Sequence, residues 1–149
     1  MIQRKQTVYL LVALLALIVC LCLPIGSIEP KGMGTGFVWY NAGLTNGQQF
    51  VVRPILFVDL VVAGTLALTS IFLYRRRLFQ ARLCTVGIIL CLAWYVYYGI
   101  CVLGELLPAG NFRLHFAAGL PLVAIILFVM AHRGIMADEK LVRSMDRIR

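Results

Sequence analysis

Residues 55–77 read ILFVDLVVAGTLALTSIFLYRRR, twenty residues with Asp59 as their lone charge and then Arg75, Arg76 and Arg77 in a row. A helix that crosses a bilayer needs roughly 20 apolar residues. Arginines directly beyond such a run are the pattern of a helix end held at the membrane surface. Working outward, three further stretches have the same character. Residues 7–28 are uncharged throughout, 83–107 carry Glu105 near their far end, and 114–132 have His115 near their start. Lipid offers no partner to backbone N–H and C=O groups, so these runs are expected as helices. Pro24 with Gly26, Pro54, and Pro108 with Gly110 punctuate their ends. Pro121, inside the fourth, predicts a kink because its ring displaces a carbonyl one turn back.

The whole chain agrees with that window. Its 149 residues are 62% hydrophobic and 13% charged, with a mean hydropathy of +0.93. A soluble domain averages about 45–50% apolar and about 25% charged, so a soluble enzyme is excluded. The expected fold class is all-α: one polytopic membrane domain over 1–149, with four transmembrane helices, an outer loop over 29–53 and a cytoplasmic tail over 133–149.

The formal charge of +8 belongs to membrane flanks rather than to a nucleic-acid surface. Arg4, Lys5, Arg75, Arg76, Arg77, Arg82, Arg133, Lys140, Arg143, Arg147 and Arg149 fall on one side of the four spans. Lys31, Arg53 and Arg113 fall on the other, eleven against three. Positive charge stays in the cytoplasm, which puts both termini inside and the loops over 24–53 and 108–113 outside. The N-terminal run resembles a signal peptide, but no A-x-A site follows it. Leu17-Ile18-Val19-Cys20 lacks the small residue that lipoprotein processing needs before the cysteine. The first span is therefore expected as an uncleaved anchor.

In the outer loop, Phe37-Val38-Trp39-Tyr40 and Phe50-Val51-Val52 flank Asn46-Gly47, two β-prone runs around a turn signal that predict a small hairpin. A two-stranded ribbon is marginal alone in water, so Trp39 and Tyr40 are expected at the bilayer interface or on the helix ends. A lid or docking surface is the functional alternative. Cys20, Cys22, Cys84, Cys91 and Cys101 include no Cys-x-x-Cys and read as small packing residues. No metal spacing is visible and no cofactor is expected. In the tail, Leu141, Val142, Met145 and Ile148 recur at helical spacing among charged residues. They predict a short amphipathic helix that lies on anionic lipid or docks on another protein.

Inside the membrane, Asp59 is a candidate site by default, since a charge there is costly. It shares a face with Ala63, Ala67 and Ser70, a small-residue stripe suited to helix packing. Glu105, Arg113 and His115 lie at comparable outer depth, so a cluster of Asp59 with Arg113, His115 or Arg53 is expected. It would serve as a structural ion pair or as a proton or cation site. Trp94-Tyr95-Val96-Tyr97-Tyr98 falls near mid-membrane by counting from Leu83. Its hydroxyls need partners, with Thr65, Thr69 or Asp59 as candidates. Aromatic packing and a quinone or lipid slot are the two readings of this run.

Met1-Ile2-Gln3-Arg4 with Gln6-Thr7-Val8-Tyr9-Leu10-Leu11, the Arg75-Arg76-Arg77 to Arg82-Leu83-Cys84 loop, and the tail Asp138-Glu139-Lys140-Leu141-Val142-Arg143-Ser144 carry a resemblance. Together with the end from Pro121 they resemble the uncharacterised family known as domain of unknown function 4293. The resemblance spans essentially the whole chain. It implies a four-helix protein of the bacterial inner membrane with no assigned activity and no catalytic residues to transfer. The leading expectation is a non-enzymatic accessory or scaffold subunit. Its contacts to a membrane-protein partner, a second copy or anionic lipid would be Arg75, Arg76, Arg77, Arg82, Leu141, Val142, Arg143, Met145, Arg147 and Ile148. A small transporter using Asp59 and a redox enzyme using Cys20 or Cys22 are the alternatives.

Overall fold

Each apolar run forms a helix in the computed structural model, which describes residues 3–30, 35–107 and 110–146. Helix α1 is Gln3–Cys22, α2 is Ile55–Phe72, α3 is Arg77–Cys101 and α4 is Leu120–Asp146. Among the described residues these four are long and apolar enough to cross a membrane. A π-helical turn, Val102–Leu106, extends α3, and a 3-10 turn, Phe116–Gly119, leads into α4. Each helix packs against two others, α1 and α3 both against α2 and α4, which makes a closed ring of four.

The residues that close this ring are small: Ala13 on α1, Ala63, Gly64 and Ala67 on α2, Gly87 on α3, Ala124 and Ala131 on α4. Leu11, Leu15, Val58, Val62, Ile89, Leu92, Val96 and Ile126 point outward and are exposed. Small residues at the close approaches, packed beside larger ones such as Leu10, Leu17, Leu60 and Phe128, with large apolar residues outside, are the arrangement of helices whose backbones approach closely while their outer faces suit lipid.

One end of the bundle carries a sheet. Strands β1 (Gly26–Pro30), β2 (Phe37–Tyr40), β3 (Gly43–Thr45), β4 (Phe50–Val52) and β5 (Gly110–Leu114) lie in the order β4-β3-β2-β1-β5. All neighbours are antiparallel. β1 to β4 form a meander, and β5 returns after α2 and α3 to pair with β1, Gly26 opposite Leu114 and Ile28 opposite Phe112.

The structure corrects the all-α expectation here. α1 ends at Cys22, before Pro24, so residues 26–28 belong to β1, and Leu114 belongs to a strand rather than to the fourth span. Their partner strands lie more than 80 residues apart, beyond any local pattern. The turn at Asn46-Gly47 is present: Gly47 has φ +85°, and the Asn46 side-chain oxygen accepts from the N–H groups of Gln48 at 3.1 Å and Gln49 at 2.8 Å. It joins β3 to β4, however, and Phe37–Tyr40 pairs with β3 instead of with Phe50–Val52.

The helix limits also differ from expectation. α3 starts at Arg77, so Arg77 and Arg82 are helical. α4 runs unbroken to Asp146, so the tail continues the fourth helix instead of forming a separate one. Pro121 makes no interior kink: it is the second residue of α4, where a missing N–H leaves no bond broken. Lys31, Pro108, Arg147, Ile148 and Arg149 lie outside the described residues.

Gly87 sets the spacing of α3 and α4, since a Cβ there would stand 3.1 Å from the fully buried Phe128 ring. Gly87→Val should lose about 1–3 kcal/mol through overpacking. Gly99→Ala, with nothing within 4 Å of its Cβ, should be neutral or gain up to about 1 kcal/mol from helix propensity. Thermal unfolding in detergent separates the two, and equal melting temperatures would refute the packing argument.

Candidate functional site

At the sheet end, α3 supplies the aromatic run. Trp94 and Tyr98, one turn apart, face inward and are buried, while Val96 faces out. Trp39 of β2 stacks on Tyr98 with ring centroids 4.9 Å apart and planes 6° apart, and Tyr98 stacks on Trp94 at 4.9 Å and 11°. Tyr95 meets Trp94 edge-on at 5.0 Å. The rings therefore lie beneath the sheet, with Trp39 seated on Tyr98 of α3. Offset and edge-on pairs of this kind add about 0.5–1.5 kcal/mol each beyond their burial.

Their polar atoms seek the main chain at chain junctions. The Trp94 indole N–H donates to Asn41 Oδ1 at 3.0 Å, and Asn41 Nδ2 donates to the Cys20 carbonyl at 2.7 Å. That carbonyl is in the last turn of α1, where helical partners run out, so Asn41 from the β2–β3 turn caps the helix. Tyr98 donates to the Ile25 carbonyl at 3.0 Å. Tyr95 donates to the Ala118 carbonyl at 2.7 Å and accepts from the Leu122 N–H at 3.0 Å, which caps the start of α4. The Cys20 thiol donates to the Ala117 carbonyl at 3.3 Å. The hydroxyl partners expected from sequence are not used: Thr65 bonds to the Val62 carbonyl and Thr69 to the Thr65 carbonyl, within α2.

The expected cluster around Asp59 is not assembled. Arg53 pairs with Glu105, whose hydrogen bond holds the guanidinium above its ordinary pKa. Arg113 pairs with Glu29 across β5 and β1 at 3.2 Å, and the His115 Nε2 lies 3.1 Å from the Ser27 hydroxyl. These groups tie strands and helix ends together at the surface, where ion pairs are worth about 0–1 kcal/mol. Asp59 stands apart. Its Oδ2 is buried and has no hydrogen-bond partner.

The opposite end carries the arginines. Here Gln6 Nε2 donates to Asp138 Oδ2 at 2.6 Å between buried side chains of α1 and α4. His132 Nδ1 lies 3.1 Å from the Ala81 carbonyl, and the Ser70 hydroxyl lies 3.5 Å from the Gln80 carbonyl. These contacts hold the end of α4 beside the α2–α3 turn. A cleft of about 560 Å³ opens between them, lined by Arg75, Arg76, Arg77, Leu78, Phe79, Arg82, Glu139 and Val142. A second, of about 980 Å³, lies alongside and includes Met136, Lys140 and Arg143.

The structure thus brings Arg75, Arg76, Arg77, Arg82 and Val142 onto one cleft. Arg143 turns to Glu139 at 3.1 Å. Leu141 and Met145 are exposed, Met145 at 72%. Asn41, Gln6 and Asp138 were not singled out from sequence. Asn41 sits in what reads as an ordinary turn. The signal for the other two was a pair of hydrogen-bonding side chains at the same end of apolar helices. Among the described residues no group of three His, Cys, Asp or Glu side chains could hold a metal.

A family model described as "Domain of unknown function (DUF4293)" matches residues 2–148. No curated protein matches the chain.

Asn41→Ala removes a donor and an acceptor at once and leaves the Trp94 N–H and the Cys20 carbonyl buried without partners. Each orphaned group costs about 1–3 kcal/mol. The variant should melt well below the parent, with a shifted tryptophan emission. An unchanged melting temperature would show that Asn41 does not hold the sheet to the bundle.

Proposed function

The chain belongs to the DUF4293 family, and from that premise we propose a non-enzymatic accessory or scaffold subunit of a bacterial inner-membrane assembly. The four helices cross the membrane, the arginine end faces the cytoplasm and the sheet faces the opposite side. The asymmetry of eleven basic residues against three supports that orientation. A partner docks on the rim formed by the α2–α3 turn and the last turns of α4. The observation that carries this reading is the convergence of two segments, 75–82 and 139–145, on one surface with Leu141 and Met145 exposed beside it. Apolar residues beside arginines that have no carboxylate partner among the described residues are the composition of a contact surface.

Removing the tail from Met136 onward is the wrong test, because it also removes Asp138 and its buried bond to Gln6. Leu141→Glu/Met145→Glu alters exposed positions only. Pulled down from native membranes in mild detergent, the parent should bring a stoichiometric companion that this variant loses. A parent that comes down alone overturns the scaffold reading. For orientation, alkaline phosphatase fused after Asn46 should be active, and a fluorescent protein fused after Arg149 should fluoresce. The reverse pattern would invert the topology.

A second reading rests on one observation, the buried and unpartnered Asp59 Oδ2. An unpaired carboxylate in an apolar bundle is costly, and uptake of a proton or cation would relieve that cost. Under this reading Asp59→Asn abolishes a proton- or cation-dependent flux in proteoliposomes. Unchanged flux removes it.

A further inference from the structure

We propose that the cleft at the α2–α3 turn is a binding site for a phosphate-bearing anion, such as the headgroup of an acidic phospholipid. The inference rests on the orientation proposed above only for the source of the phosphate, and it is independent of any protein partner. Four guanidinium groups, Arg75, Arg76, Arg77 and Arg82, line one cavity of about 560 Å³. Among the described residues none of them is paired with a carboxylate. The three ion pairs are Arg53–Glu105, Arg113–Glu29 and Arg143–Glu139. Glu139, the one acid on the lining, is engaged by Arg143 at 3.1 Å.

Like charges crowded on an eight-residue segment repel one another; the fold offsets this only through Arg75 over the Tyr74 ring at 5.9 Å and through Glu139, which is already engaged by Arg143. A phosphate offsets it directly. Its oxygens match the fork of a guanidinium in pairs of parallel hydrogen bonds. α3 begins within the same segment, with no acidic residue in its first turn and no side chain capping its first N–H groups. The partial positive charge of that terminus acts in the same direction. Leu78 and Phe79, both exposed, complete the lining and offer an apolar wall to whatever carries the phosphate. A bare inorganic ion fills a small part of such a volume, while a glycerophosphate headgroup with the start of its acyl chains uses the arginines and the apolar wall together.

The test uses the purified full-length chain in phosphatidylcholine nanodiscs. Phosphatidylglycerol is titrated in and bound lipid is counted by native mass spectrometry. In parallel, radiolabelled inorganic phosphate is titrated against discs of phosphatidylcholine alone. Arg76→Gln/Arg82→Gln is compared with Lys5→Gln/Arg133→Gln, which removes the same charge from exposed positions away from the cleft. Arg75→Gln/Arg76→Gln replaces the first pair if that pair misfolds.

Saturable binding that falls at least about tenfold in the cleft variant, as expected on losing a charge-assisted hydrogen bond, supports the site. The control should stay within about twofold of the parent. Binding of phosphatidylglycerol alone identifies a lipid headgroup, and binding of inorganic phosphate as well identifies a site for free phosphate. Equal losses in both variants would show diffuse attraction between a basic surface and anions, and would overturn the proposal, as would no saturable binding in either titration. A missing protein partner leaves this result intact, so the two readings fail separately.

Discussion

The aromatic side chains of α3 are bonded mainly to the backbone of other elements, and the rest of the sheet end depends on that arrangement. Trp94, Tyr95 and Tyr98 reach, directly or through Asn41, the last turn of α1, the entry to β1 and the first turn of α4. Each of these places is a junction at which regular hydrogen bonding stops. A chain that turns back in apolar surroundings must satisfy those groups from within itself. Three rings on one helix face meet this demand for three junctions, and their stacking with Trp39 brings β2 along. The sheet is thereby fixed to the bundle instead of hanging from it by two loops.

The same constraint explains where polar residues occur among the helices. Asn41 lies at one end and the Gln6–Asp138 pair at the other, each fully or nearly fully buried. Between them the interior is apolar, with Ala, Gly, Cys and Leu beside larger side chains such as Phe128, and such residues pack by shape and do little to fix one helix height against another. A buried polar pair tolerates little sliding, because a shift of a few ångströms orphans both members. The two polar contacts therefore fix the register of α1 against α4 and of α1 against the sheet. Gly134, whose absent Cβ would come 3.1 Å from the Gln6 side chain, lets α1 approach closely enough for the bond to form.

The helices were legible in the sequence because apolar length is a local property, and the Asn46-Gly47 turn was legible for the same reason. The sheet was legible only in fragments. Gly26–Pro30 is too short and too close to the first span to read as a strand without Gly110–Leu114 beside it, and that pairing is not local. The aromatic run was correctly seen as needing partners, but its place beneath the sheet was not legible, because the sheet is assembled from segments distant in sequence. Asp59 was grouped with Glu105, Arg113 and His115 by depth alone. Depth says nothing about which way a side chain faces around its helix, and Glu29, Ser27 and Arg53 were nearer partners. The contact residues of the α2–α3 turn and of α4 were named from charge and periodicity. That Val142 and Glu139 meet the arginines at one cleft follows from α4 being continuous, which the polar composition of the tail concealed.

The two ends of the molecule differ in how much of their bonding capacity is already engaged. At the sheet end the hydroxyls of Tyr95 and Tyr98, the Trp94 indole and the Asn41 amide are turned inward onto the chain itself, and Arg53, Glu105, Arg113 and Glu29 are paired with one another, which leaves Asp59 as the exception. At the arginine end the buried polar groups are likewise matched, yet Arg75, Arg76, Arg77 and Arg82 remain as donors with no carboxylate opposite them. A cation with five N–H donors gains little from another cation, and the one charge-dependent contact among them is that of Arg75 over the Tyr74 ring, 5.9 Å from its centroid. The proximity of the four arginines is a cost to the fold that no carboxylate among the described residues offsets. Unmatched charge therefore collects at this end, while the sheet end is the tightly bonded part that fixes α3 and α4 to the rest of the chain.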